Sequence, residues 1–228
     1  MKTVINDLTP LELFELRNSV GWKKISISQL EKGLNNTKYK VKVLVDGALA
    51  GGGRIVSDNS CMGVLNNIIV KPEYQKLGIG KLILNSLFDM VNKSLKTGER
   101  FQIEASPTNN NREFYIKCGM KYKPENQDGT YLWIEKNIFK MDLDDNIFNK
   151  IKNKSKNILI DNYSEYLKAL KKSYYIDFKN KETHEKITVK VININIYNNL
   201  KEFNNNVVIN NNIKEDNELI GIEVEIIW

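Results

Sequence analysis

Residues 71–82 read KPEYQKLGIGKL and set two of the chain's 13 glycines, Gly78 and Gly80, one residue apart. The apolar run Val64-Leu65-Asn66-Asn67-Ile68-Ile69-Val70 precedes them, and a long amphipathic run follows. The pattern reads as strand, glycine-bearing turn and helix. Such a turn leaves the first amides of the helix without acceptors and adds the positive end of the helix dipole, a combination that holds phosphate. Glycine at these positions permits backbone angles and a ligand approach that a Cβ would block. The spacing alone equally fits a tight strand-to-helix turn that holds nothing. It does not fit a dinucleotide fingerprint, which needs a third glycine and an acidic residue ending a second parallel strand, or a Walker loop, which needs Gly-Lys-Ser/Thr. A single histidine, His184, argues against a His-based zinc site or a Ser-His triad, so no metal is expected.

These residues need elements to position them. Thr9-Pro10 followed by Leu11, Leu13, Phe14 and Leu16 predicts a capped helix with proline in its first turn. A second helix is predicted over 28–34. Strands at 39–45 and 48–56 flank Asp46-Gly47, the strongest short hairpin signal. A strand over 62–70 ends at Pro72, and the helix from Gly80 to about Lys96 repeats apolar residues at Ile83, Leu87, Met90 or Val91, and Leu95. A strand at 101–105, a short helix at 112–118 ended by Gly119, and a strand at 131–135 complete the first half. Hairpins first and a crossover later predict an α+β fold, a mixed and mostly antiparallel sheet flanked by helices.

Gln75-Lys76-Leu77-Gly78-Ile79-Gly80, placed after Ile68-Ile69-Val70, resembles the acetyl-CoA signature Q/R-x-x-G-x-G/A of the GNAT superfamily of N-acetyltransferases. Phe114-Tyr115-Ile116-Lys117-Cys118-Gly119-Met120 resembles the family's later motif, F/L-Y-x-x-x-G-F, and the likeness spans roughly residues 1–140. The resemblance implies acetyl-CoA as cofactor and an amine, of a small molecule or a protein, as acceptor. It places the pyrophosphate on the amides of Lys76 to Lys81, with Gln75, Asn111 and Phe114 beside the cofactor. It pairs the pantetheine arm with Ile68, Ile69 and Val70, and puts an oxyanion-binding N–H near Val70. Tyr115 matches the general acid, or else is a tyrosine packed between helix and sheet. The position of Asn67 often carries a carboxylate in relatives, but an amide is no base, and Asn67 is read as substrate-binding. Glu104 on the next strand is then the nearest candidate base, acting through water, or else a solvent-facing strand charge. Trp22 and Arg17 fall where the family's variable acceptor pocket begins, although Trp22 equally fits helix-packing core. Cys118 is expected to pack as a small hydrophobe. Asn109–Asn111 are expected near the cofactor amides or in a plain loop.

The 228 residues are 41% apolar, enough for a real core. No stretch approaches the roughly 20 apolar residues that span a bilayer, and the N-terminus lacks a signal peptide's apolar block. Two cysteines, Cys61 and Cys118, are too few for a disulfide framework and point to a reducing cytoplasm. Residues 1–141 carry a net +7 and 142–228 a net −1, a weak pointer to an anionic partner for the first part. The acidic segment MDLDD after Lys140 is read as the joint between a domain at 1–141 and an accessory domain at 142–228. In the second part helices are predicted from Asn146 and over 163–172, with strands at 174–178, 186–196 and 221–228. Residues 142–204 resemble an ASCH domain, a small β-barrel related to the RNA-binding PUA module, through Ile176-Asp-Phe-Lys-Asn180, Thr183, Glu185, Ile187-Thr-Val-Lys-Val191, Ile194, Tyr197 and Leu200-Lys-Glu-Phe203. Of that family's G-x-K-T-x-E-x-R segment only a lysine, Lys156, remains. Lys150, Lys152, Lys154, Lys156, Lys171 and Lys172 read as an RNA-contacting patch or as a solvated face. Two functions stay open at this point: an N-acetyltransferase, or a CoA-holding scaffold without turnover whose barrel binds RNA or a protein.

Overall fold

The computed structural model describes residues 2–108, 111–123, 129–154, 157–198, 207–209, 213 and 218–227. Contacts divide the chain into two compact units, Met1–Lys136 and Asn137–Trp228.

In the first unit, β1 (Lys2–Ile5), β2 (Tyr39–Val45), β3 (Ala48–Ser57), β4 (Met62–Val70), β5 (Arg100–Ala105), β6 (Lys121–Tyr122) and β7 (Thr130–Glu135) form one sheet in the order β1-β2-β3-β4-β5-β7-β6. Only β4 and β5 are parallel. A crossover helix joins them, as parallel neighbours require. The β2–β3 hairpin turns at Asp46 and Gly47, both with positive φ (50° and 85°), the geometry of a primed turn whose twist matches the strands. β1 carries no sequence signal; it forms by pairing along the edge of β2, from Lys2 opposite Leu44 to Ile5 opposite Val41.

Helices cover both faces of this sheet. α1 (Pro10–Ser19) begins in a capping box, in which the Thr9 side chain accepts from the Glu12 amide at 3.2 Å and the Glu12 carboxylate accepts from the Thr9 amide at 2.8 Å. With α2 (Ile27–Asn35) it buries Leu13, Leu16, Leu30 and Leu34 against Leu8, Leu49 and Ile69. α3 (Ile79–Ser94) takes the opposite face, burying Ile79, Ile83, Leu84, Leu87 and Val91 on the helical period against Val41, Val43, Ile55 and Phe101. A Cβ on Gly51 would touch Ile79 and Ile83, whereas one on its neighbour Gly52 would touch Leu8 and Leu16, so the strand alternation delivers the two layers. The short α4 (Arg112–Lys117) ends at Gly119, whose φ is +94°.

The second unit contains β8 (Ile138–Leu143), α5 (Asp145–Lys152), β9 (Ile158–Asn162), α6 (Glu165–Lys168), β10 (Tyr175–Asn180), β11 (Lys186–Tyr197), β12 (Val208–Ile209) and β13 (Leu219–Ile226). They form one sheet in the order β12-β9-β13-β11-β10-β8, and α5 buries Ile147, Phe148 and Ile151 in its core. Among the described residues no pairing joins β12 to β8, so the sheet is open where the ASCH resemblance implies a barrel. Leu200–Phe203 and Lys156, which carry part of that resemblance, lie outside the described residues. The second helix is shorter than the predicted 163–172: it stops at Lys168, and Ser173, at φ +70°, turns the chain so that its amide bonds to the Val191 carbonyl at 2.8 Å. In the lysine run, Lys152 pairs with Glu185 at 2.6 Å. Among the described residues no helix is long and apolar enough to cross a membrane.

The segment read as a joint is structured. Met141, Asp142 and Leu143 pair with Phe178, Lys179 and Asn180 inside β8, so a cut after Met141 would divide an edge strand of the second sheet. The two compact units instead meet between Lys136 and Asn137. Expressed alone, residues 1–136 are expected to unfold in one cooperative calorimetric transition. Insoluble or non-cooperative material would mean that the first sheet needs the second unit to fold.

Candidate active site

A break in the β3–β4 ladder generates the site. Gly52 lies opposite Ile69, but Arg54 lies opposite Asn66, so Asn67 and Ile68 together face Gly53. Two residues against one is a β-bulge, and Asn67 takes the left-handed conformation at φ +53° that asparagine tolerates best after glycine. Gly53 makes room for it, because a Cβ there would sit 2.5 Å from Ile68 Cδ1. Arg54 fastens the bulge. Its Nε donates to Asn67 Oδ1 at 2.9 Å and its Nη1 to Thr37 Oγ1 at 3.1 Å, while the Thr37 hydroxyl donates to the Gly33 carbonyl at 2.8 Å.

Beyond the bulge β4 leaves β5. Their parallel pairing covers only Met62–Val64 against Gln102–Glu104, although β4 continues to Val70. The Lys71 amide bonds to the Ala50 carbonyl on the β3 side at 2.9 Å, so by strand alternation the Val70 amide points to the side that β5 has vacated. The Val70 carbonyl accepts from Gln75 Nε2 at 3.1 Å, which ties the strand end to the following turn.

That turn places Lys76 at φ +65° and Gly78 at φ +80°, and Gly78 caps α3. Among the described residues none of the amides from Lys76 to Lys81 meets an acceptor. The Phe114 ring closes over Gly80, where a Cβ would lie 3.0 Å from Phe114 Cζ. Phe114 also meets the Tyr115 ring edge-on at 5.2 Å. Burial, and secondarily the nearby Cys118 thiol, push the Tyr115 phenol above its ordinary pKa of 10.0, and among the described residues its hydroxyl has no hydrogen-bond partner. Burial likewise raises the Cys118 thiol, against the opposing charge of Lys81.

These elements enclose a cleft of about 650 Å³. It is lined by Ile68, Ile69, Val70, Gln75, Lys76, Gly78, Ile79, Gly80, Lys81, Asn111, Phe114, Tyr115 and Trp22 from the expected set, together with Val20 and Tyr74. Three expected residues lie elsewhere. Leu77 is 57% exposed, because it sits on the outside of the turn. Asn67 is only 7% exposed and turns its amide inward to Arg54, so it shapes the strand and does not line the cleft. Glu104 is held by Lys123 at 2.7 Å and accepts from Gln102 Nε2 at 2.7 Å, also outside the lining. Asn109 and Asn110 lie outside the described residues. Arg54 and Gly53 went unnoticed in the motif reading, although three consecutive glycines inside a strand, Gly51 to Gly53, are a signal for a bulge or a close backbone approach.

The cleft suits an elongated donor ending in phosphates. It offers free amides and two lysines, Lys76 and Lys81, at the helix end, and an unpaired strand edge leading away from them. Among the described residues no cluster of His, Cys, Asp or Glu could hold a metal.

Known proteins share sequence with the first unit. The sequence profile of the acetyltransferase (GNAT) domain matches residues 14–133, just over half of the chain, and the chain belongs to that family. It is 26% identical over 124 residues to the uncharacterised N-acetyltransferase ycf52 of Pyropia yezoensis, covering 53% of this chain and 69% of that protein. A Staphylococcus aureus protein of unknown function, described as a probable acetyltransferase, is 21% identical, with a TM-score of 0.48, over 57% of this chain and 97% of its own. An aminoglycoside 6'-N-acetyltransferase solved with coenzyme A is 16% identical, with a TM-score of 0.43, over 58% of this chain and 94% of its own. The protein is an acetyltransferase, and acetyl-CoA is its acyl donor.

Two substitutions test the site. Gly78→Val adds a side chain to a cleft-lining residue and forces a positive φ on it. The strain costs on the order of 2 kcal/mol, and acetyl-CoA affinity measured by calorimetry is expected to fall at least about tenfold. Gly80→Val would be a poorer test, because its clash with Phe114 disturbs packing as well as binding. Asn67→Ala should destabilise the chain by about 2–4 kcal/mol in urea unfolding, combining left-handed strain with an unsatisfied buried N–H. Asn67→Gly should recover the strain portion only.

Proposed function

We propose that this acetyltransferase is an N-acetyltransferase that transfers the acetyl group to an amine, with the cofactor seated along the cleft from the α3 amides to Tyr115. The observation that carries the reading is one cleft joining acceptor-free amides, an unpaired strand edge and a half-buried tyrosine. When bound, the cofactor supplies a thioester-activated acetyl group and a thiol leaving group. The amides of Lys76 to Lys81 and the charges of Lys76 and Lys81 hold its phosphates. The vacated edge at Ile68, Ile69 and Val70 accepts its amide-bearing arm as an added strand. The Val70 amide, aimed away from β3, donates toward the acyl oxygen as negative charge develops there.

Tyr115 holds a proton on Oη. Its raised pKa keeps the phenol neutral throughout the physiological range, the state a proton donor to a departing sulfur needs. An ordinary amine has a pKa near 10.4 and must lose a proton before attack. Since Glu104 is tied to Lys123 and no described cleft-lining residue is a carboxylate or histidine, that proton goes to solvent in this scheme. The second unit supplies none of these groups and acts as an accessory module. No RNA contact is proposed for it.

Tyr115→Phe is expected to lower kcat about 10- to 1,000-fold, assayed by thiol release with a panel of amines, with acetyl-CoA affinity nearly unchanged. In the wild type the half-loss of kcat due to Tyr115 ionisation should lie at a higher pH than for an ordinary phenol, because a raised pKa prolongs the protonated form. An unchanged kcat in the Phe variant would reduce Tyr115 to a packing residue.

A further inference from the structure

Two guanidinium groups of the first unit, Arg17 and Arg54, have no carboxylate partners among the described residues. Arg17, in the last turn of α1, donates from Nη2 to the Lys23 carbonyl at 2.9 Å and lies 5.3 Å over the ring of Trp22, which lines the cleft. Its Nε is buried and has no acceptor. Arg54 bonds only to neutral oxygens, those of Asn67 and Thr37. Burial, and then the charge on Arg17, lower the proton affinity of Arg54, which places the two cations within reach of each other's field. The carboxylates of α1 that could have answered them are engaged elsewhere, Glu12 with Lys42 and Glu15 with Lys71. Arginine's planar fork suits carboxylate and phosphate oxygens, and a buried donor with no acceptor costs free energy until a ligand satisfies it.

A site for a polycationic acceptor would be lined with acids. Here the described lining residues carry none, and the wall near Trp22 and Val20 is apolar with a cation behind it. We propose that the acceptor amine carries an anionic group, carboxylate or phosphate, which seats against Arg17 beside Trp22. This rests on the reading of the cleft as an N-acetyltransferase site and adds the class of its acceptor.

The test has two arms whose failures differ in meaning. In the first, the full chain carries 15N-arginine and saturating coenzyme A, which occupies the phosphate cradle, and is titrated with inorganic phosphate or with acetate at constant ionic strength. The chain has four arginines, Arg17, Arg54, Arg100 and Arg112, so each Nε–H signal is assignable by single substitution. The Arg17 signal is expected to shift saturably while Arg100 and Arg112 stay in place, and the stronger titrant identifies the preferred anion. Parallel, non-saturating shifts of all four, or a silent Arg17, would overturn the proposal. The second arm compares KM for amino acids with KM for their carboxamides, or for phosphorylated with unphosphorylated amino sugars. The anionic member should have a KM at least about tenfold lower, and Arg17→Gln should erase that advantage while leaving acetyl-CoA affinity unchanged. Preference for the neutral member would overturn the proposal. If no amine reacts at all, the amine-transfer reading fails, and the first arm still decides whether Arg17 holds an anion.

Discussion

The hydrogen bond from Arg54 to Asn67 controls more of this molecule than its 2.9 Å suggests. Without an anchor, an extra residue in a strand tends to relax back into register, because each ladder bond it disrupts is then recovered. Here the extra residue is held in a left-handed conformation by a half-buried guanidinium whose other contact reaches Thr37, in the segment that follows α2. The strand therefore departs from β5, and its departure opens the cleft. Every group assigned to cofactor or acceptor depends on that opening: the bare edge at 68–70, the amides that begin α3, and the tyrosine on α4.

Charge is arranged along the same cleft. Lys76 and Lys81 stand where the helix dipole already favours phosphate, and Arg17 lies over the ring of Trp22, another lining residue. The net charge of residues 1–141, read from the sequence as a weak pointer to an anionic partner, thus has local addresses. Elsewhere several lysines are neutralised in place, as Lys42 is by Glu12 and Asp7.

The first unit was legible wherever local patterns determine structure. The Asp46-Gly47 turn, the strand at 62–70, the helix with its apolar stripe and the two motifs all follow from spacing, since each depends on neighbours in sequence. The side chains of Leu77, Asn67 and Glu104 fall outside the cleft lining for one reason: a motif gives a position in the chain and not the direction of a side chain. The bulge rotates Asn67 inward, and Lys123, whose reach no local pattern announces, captures Glu104. β1 was invisible because it exists through its pairing with β2. MDLDD looked like a joint because acidic residues are common in linkers, yet its register against β10 puts Met141 and Leu143 beside apolar and buried partners.

Phe114 rests on Gly80 at a distance that leaves no room for a methyl group without movement. The turn proposed to receive phosphate and the helix that carries the phenol are thus geared through one aromatic ring. During divergence, an alanine at position 80 would push the ring by a few tenths of an ångström and displace its neighbour, Tyr115, in the same stroke. The two motifs, more than thirty residues apart in the chain, are therefore expected to drift together: enlargement at 80 is tolerable where 114 shrinks, and a lineage that changes one alone loses alignment at the other.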